Sequence, residues 1–347
     1  MGFHNLLEDI DTIPYRKQIN DRMREAQRKV KPEKCILCGK PQNGYCNSHS
    51  VPQMILRNIA QDGKVLQANA LIDIEVIDKE NGINKSGTFY MICDECDHIY
   101  FRDYENPENL HEKPTDRMMA EIALKNTLIK LYKQMTAKEL ITSLQRETGR
   151  IKHFEIYSEA TGLDIRDYRE EIDLYKSIIN NDDTGCFQIL FWKKLPYVTP
   201  IAAQTMFALP EDLNGGKLND IYDFSKDIRM EEIHVCVFPL EDETIVLVFC
   251  HKKDRKCKAL LRQFKMRTDA EDLQYINWMV FKYSEDYFMS KSILPVVQAD
   301  QKLQRISQDD AGFPHLGMYT ISDLLQDGEA VTCYDIPNFL DKQFEIT

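Results

Sequence analysis

The sequence predicts an α+β protein in three parts: an N-terminal domain organised by paired cysteines (residues 1–114), a helical middle (115–184), and a C-terminal α/β domain with an antiparallel sheet (185–347). Three observations predict it. Two C-x-x-C pairs, Cys35/Cys38 and Cys93/Cys96, both fall in the first part; the middle spaces its apolar residues three and four apart; the last part is written in short β-branched and aromatic runs. At 347 residues the chain exceeds what one hydrophobic core usually organises. Its 43% hydrophobic and 10% aromatic content excludes a disordered chain. No apolar run reaches the roughly 18 residues a transmembrane helix needs. MGFHNLLEDIDTIPYRKQ lacks the charged-then-apolar order of a secretory signal, and Leu6 stands where a myristoylation signal wants Ser or Thr. The expectation is a soluble cytoplasmic protein with no membrane partner.

Residues 5–30 read as a helix, apolar at Leu6, Leu7, Ile10 and Ile13, interrupted at Pro14 and basic thereafter. The first cysteine pair follows. A C-x-x-C turn aims two thiolates at one point, and two such turns complete a tetrahedral shell for a structural Zn²⁺ on Cys35, Cys38, Cys93 and Cys96. A redox reading is disfavoured, because acids flank the second pair in CDEC and a thioredoxin-like site needs one motif in a βαβ setting. Cys46 is the alternative fourth ligand, whereas Cys186, Cys236 and Cys250 lie in apolar runs and read as core. After the first pair a short helix is expected over 52–61. LIDIEVID then alternates as a strand, and GTFYMIC is a strand leading into a second pair that opens a helix. Knuckle, strands, and a second knuckle opening a helix is the outline of a treble clef.

From 115 to 181 the helical pattern is sustained through RMMAEIALKNTLIKLYKQM, AKELITSLQRE and REEIDLYKSII. From Gly185 on, FQILFWKKL, PIAAQTMFAL, EIHVCVFPL and TIVLVFCHK read as strands, the last two joined through EDE as a hairpin. A helical stretch over 257–290 follows, and Asn214-Gly215-Gly216 and 309–313 are turn signals.

Between the knuckles stands Ser48-His49-Ser50-Val51-Pro52. Together with GINKSGTFYMICDECDHIYFRDYENPENL and the IALKN helix at 122–126, it resembles the HNH (ββα-metal) nucleases. The resemblance is strongest to a bacterial group with SH-x-x-P in place of DH-x-x-P, and covers about residues 30–130. It implies an HNH-like zinc domain and hydrolysis of nucleic-acid phosphodiesters, DNA in preference to RNA, in a bacterial or phage setting such as anti-phage defence. It also implies His49 as general base, with Asp97 and His98 completing the catalytic set around a divalent ion. The chemistry asks for the same groups: a base that titrates near neutrality, and a Mg²⁺ or Mn²⁺ to spread the charge of the attacked phosphate. Asp97, Asp103 and Glu105 supply hard oxygen ligands just after the second knuckle.

The sequence departs from that family pattern in three places. Ser48 replaces the acid before the histidine; the span from Pro52 to Cys93 is long; and a closing histidine is present only if His98 or His111 serves. A catalytically inactive, zinc-stabilised module binding nucleic acid or protein is therefore the alternative.

The net charge of −12 argues against general coating of nucleic acid, yet it is unevenly spread. Residues 16–40 hold nine Lys/Arg against three acids, for a net +6, and residues 251–267 carry +7. Both are candidate phosphate tracks, and solvated helix faces otherwise. No G-x-G-x-x-G, Walker A, H-E-x-x-H or G-x-S-x-G motif occurs. The C-terminal part is left with regulation, self-association or a protein partner.

Overall fold

The computed structural model describes residues 12–41, 44–67, 80–148, 151–220, 223, 225–309 and 331–346. Its centre, among the described residues, is a seven-stranded antiparallel sheet whose strands run across it in the order 80–82, 64–67, 287–289, 201–207, 233–239, 244–251 and 187–195. The C-terminal part supplies β6 (Ile201–Phe207), β7 (Ile233–Pro239) and β8 (Thr244–His251) to its interior and β5 (Phe187–Leu195) to one edge. The residues of β6, β7 and β8 are buried throughout. That is the signature of a sheet covered on both faces, and explains why these runs read as continuously apolar and not as alternating. The expected hairpin is present: Pro239 pairs with Thr244, and the Leu240 N–H donates to the Glu243 carbonyl at 2.7 Å.

Alternate side chains enter two cores. On one face Cys236, Phe238, Ile245, Leu247 and Phe249 pack with the cysteine-knuckle region and two long helices, α5 (Asp116–Thr148) and α6 (Ile151–Asn181). On the other, Val235, Val237, Val246 and Val248 pack under α7 (Ala259–Met266), α8 (Asp269–Tyr283) and the C-terminal segment around Phe339 and Leu340.

The helical stretch expected over 257–290 is two helices and a strand. Arg267 turns extended, and Thr268 and Glu271 form a reciprocal capping box that starts α8 afresh. After Tyr283 the chain runs into β9 (Tyr287–Met289), which pairs with β6.

In the N-terminal part, α1 (Thr12–Lys29) covers the described portion of the basic helix. Pro14 does not interrupt it, because the first turn of a helix has no intrahelical N–H bond to lose. A two-stranded ribbon pairs β1 (Ser48–His49) with β4 (Thr88–Phe89), and α2 (Gln53–Ile59) follows β1. GTFYMIC thus holds a two-residue strand. β2 (Lys64–Gln67) pairs with β9, and with β3 (Glu80–Gly82) on its other side. Strands from either side of residues 114 and 184 therefore share one sheet. LIDIEVID lies outside the described residues. α3 (Asp94–Phe101) starts at Cys93, as expected, and α4 (Pro107–Leu110) follows. No helix among the described residues is long and apolar enough to cross a membrane.

Candidate functional site: four cysteines beside a histidine–carboxylate–lysine cluster

The two C-x-x-C turns meet. The sulfurs of Cys35, Cys38, Cys93 and Cys96 all lie within 4.8 Å of one another, and those of Cys38 and Cys93 are 3.8 Å apart. Tetrahedral Zn²⁺ with Zn–S bonds of about 2.3 Å spaces its sulfurs by about 3.8 Å, so the donor set fits. Local backbone makes this geometry. Gly39, at φ +71°, turns the chain so that its N–H reaches the Cys35 carbonyl at 2.8 Å while the Cys35 N–H reaches Lys40 O at 2.9 Å. Ile36 N–H to Met91 O (3.1 Å) ties the first turn to the second, and Lys40 pairs with Glu95 at 2.8 Å across them. The Lys40 backbone N–H holds the Cys38 thiol down at about 7, whereas burial pushes Cys96 up. Cys46, the alternative ligand, stands outside this group, and burial raises its thiol to about 12.

His49 lies one ribbon away, half-buried, with Nε2 3.0 Å from the Ile83 carbonyl. A carbonyl only accepts, so Nε2 carries the proton and the lone pair sits on Nδ1. Burial lowers the His49 pKa, with the charge of Lys125 lowering it further and Glu105 and Asp97 opposing. The imidazole is thus neutral at pH 7.

The neighbours of His49 form a compact polar cluster. Ser48 Oγ, buried, donates to Asp97 Oδ1 at 2.5 Å. Lys125, on α5 and only 1% exposed, donates its ammonium to Glu105 Oε1 and lies 3.8 Å from Asp97 Oδ1. Its Nζ also sits 4.1 Å from the Phe101 ring centroid. Burial works against the Lys125 charge, but Glu105 and Asp97 outweigh it and hold its pKa above the usual value. The Tyr104 hydroxyl donates to Glu105 at 3.3 Å.

The structure therefore brings Asp97 and Glu105 together around Lys125, within electrostatic reach of His49, and leaves two predicted residues elsewhere. Asp103 is drawn to Arg117, 2.7 Å away at the start of α5, and to Arg102 at 3.3 Å. His98, next to Asp97 on α3, points to solvent. His111 pairs with Glu243 at 2.7 Å, away from the cluster.

A resident Mg²⁺ or Mn²⁺ does not fit this arrangement. Such ions need several converging oxygens, yet the ammonium of Lys125 stands between the two carboxylates that approach. The four cysteines are the only group of three or more metal-ligand side chains that converges among the described residues. Sequence reasoning passed over Lys125, although a lone lysine inside AEIALKNTLI was the available signal, since Lys is almost never buried unless paired.

The two basic stretches differ in position. In the first, Lys29 is shared between Glu25 (3.0 Å) and Glu139 (3.1 Å), and Lys40 is bound to Glu95, so part of its charge is already matched. The second begins at the end of β8, where Lys253 shares a pocket with Glu171 and Tyr175 of α6, and continues into α7 on the sheet face opposite the cysteines. A cavity of about 460 Å³ between α6 and the loops beyond β6, lined by Asp164, Glu171, Glu232, Lys130 and Arg229, contains none of the predicted site residues. No protein-family model, curated protein or solved structure matches the chain.

Proposed function

We propose that the N-terminal region is a zinc-stabilised, HNH-like treble-clef domain that hydrolyses nucleic-acid phosphodiester bonds, with DNA the favoured substrate. The observation that carries this reading is His49 at the SH-x-x-P position: a backbone carbonyl holds Nε2–H, Nδ1 is left as the proton acceptor, and the charges of Glu105 and Asp97 reach the ring. Zinc on the four cysteines fastens the ribbon that carries His49 to the helix that carries Asp97. In hydrolysis Nδ1 takes a proton from water as the water oxygen bonds to phosphorus, the bond to the leaving sugar oxygen breaks, and solvent protonates that oxygen.

The test is incubation of the purified chain with plasmid, single-stranded DNA and RNA, beside His49→Ala. Cleavage by the parent that falls at least a hundredfold in the variant supports the reading. Equal cleavage by both proteins sinks it. A second reading, a module that binds without cleaving, is favoured by one observation: Lys125 neutralises a carboxylate where catalysis in this family expects a metal. Gel-shift binding with no turnover would select it.

A further inference from the structure

The disagreement between the divalent ion and the residues around His49 has a positive form. We infer that Lys125 is the resident cation of this site: its ammonium takes the place between Asp97 and Glu105 that a divalent ion would occupy, so the cluster neither binds nor requires one. The inference concerns the same site as the proposed nuclease, but its test does not depend on cleavage.

Three features carry it. Lys125 is 1% exposed and contacts both carboxylates, whereas Asp97 and Glu105 remain 21% and 30% exposed, so the cation lies beneath the acids and not in solvent above them. The ammonium is also seated over the Phe101 ring at 4.1 Å, with Tyr104 at 5.7 Å. The position therefore suits an alkylammonium, with its charge on the acids and its apolar stem among α5 neighbours. Finally, a dissolved ion competes with a tethered one. The lysine meets its carboxylates at a high effective concentration. Displacing it would leave a charge buried without a partner, which is strongly unfavourable.

Consequences for chemistry follow. Lys125 is 1% exposed and contacts the two acids, so it is a positioning residue. It fixes Asp97, which in turn accepts from Ser48, the neighbour of His49 on β1. It also cancels one of the two negative charges that an approaching phosphate meets. A phosphate would face a cluster of net −1 in place of −2.

Binding of Mn²⁺ to the zinc-loaded full chain, followed by loss of the free-ion paramagnetic resonance signal, tests this directly. Mn²⁺ prefers oxygen ligands and leaves a four-thiolate zinc site alone. The parent should show no saturable Mn²⁺ binding at millimolar ion. Lys125→Met, of similar length and without charge, should gain one site that Glu105→Gln removes again. Saturable binding by the parent that Asp97→Asn or Glu105→Gln abolishes overturns the inference. So does a folded Lys125→Met that gains no site. Should Lys125→Met not fold, the parent titration beside Glu105→Gln decides alone. A chain that shows the expected Mn²⁺ pattern but cleaves no nucleic acid refutes the nuclease reading and leaves this one standing. If cleavage is present, it should persist in buffer freed of Mg²⁺ and Mn²⁺ with zinc retained.

Discussion

Replacing Gly87 with alanine tests how the His49 ribbon is seated on the sheet. Gly87 has φ +61°, and its carbonyl accepts from the Ser50 N–H at 2.8 Å. A Cβ there would stand 2.3 Å from Ser50 Oγ and 2.6 Å from Cζ of Phe288. Phe288 lies on β9 and Ser50 is next to His49; both are buried. Two costs combine: about 1 kcal/mol for an L-residue in the left-handed region, and about 1–3 kcal/mol for forcing a methyl into packed core. The expected loss is about 3 kcal/mol. Gly63 separates the terms, since it has φ +69° and open space where its Cβ would go, so Gly63→Ala should lose only about 1 kcal/mol. Urea unfolding of the parent and both variants reads the difference from the midpoints, provided the slopes agree. Equal losses in the two variants would show that the ribbon yields freely, and the argument that β9 anchors His49 would be wrong. If the proposed cleavage is observed, it should fall further in Gly87→Ala than in Gly63→Ala, because only the first crowds Ser50, next to His49.

Other changes have expected outcomes of their own. Cys35→Ser and Cys93→Ser should each lose bound zinc by elemental analysis and melt well below the parent, because structural zinc contributes folding free energy outright. Asp116→Ala removes the acceptor of the Cys186 and Phe187 N–H groups, at 2.9 and 3.1 Å, and should cost about 2 kcal/mol in urea unfolding. Burial raises Glu121 to about 7 from its usual 4.5, although the N–H groups of Tyr104 and Asp103 and the charge of Arg117 oppose the rise. The folded state then binds this proton more tightly than the unfolded one, so stability falls as pH rises from 4.5 to 7, by up to about 3 kcal/mol. Glu121→Gln should flatten that slope, and an unchanged slope in urea midpoints across pH 4.5–8 would refute the assignment.

What could be read from the sequence, and what could not, follows from range. The cysteine turns were legible because C-x-x-C carries its own geometry: Gly39 and the Cys93 helix start complete it within a few residues. The strands from β5 to β8 were legible as β-branched runs. The place of β2 in their sheet was not, because its partner β9 lies more than 200 positions on in a three-residue strand. The break at Arg267 was written locally, as Thr268 and Glu271, but apolar periodicity continues on both sides and masks it. At the candidate site, His49 was legible by motif and Asp97 by its place directly after Cys96. Asp103 and His98 sit as close in sequence, and only the orientation of α3 and the pull of Arg117 separate them from the cluster. Lys125 could not be placed at all without the fold, since nothing local says that α5 crosses beneath residues 97–105.

That crossing makes α5 the element on which the site depends. Arg117, Glu121 and Lys125 recur every four residues, so they form one stripe along the helix. The stripe meets the segment after the second knuckle at successive points: Arg117 holds Asp103, Glu121 accepts from the N–H groups of Asp103 and Tyr104, and Lys125 holds Glu105 and approaches Asp97. The same helix is fixed to the sheet by another side, where Asn126 donates to the Thr205 carbonyl at 3.0 Å and contacts buried His234 at 3.2 Å. The acids beside His49 are thus aligned by a helix whose own position is set by β6 and β7. The three expected parts of the chain meet here, and the spacing of the carboxylates depends on the sheet as much as on the cysteine turns. A core substitution in β6 that shifts α5 should therefore disturb Asp97 and Glu105 while leaving all four cysteines in place.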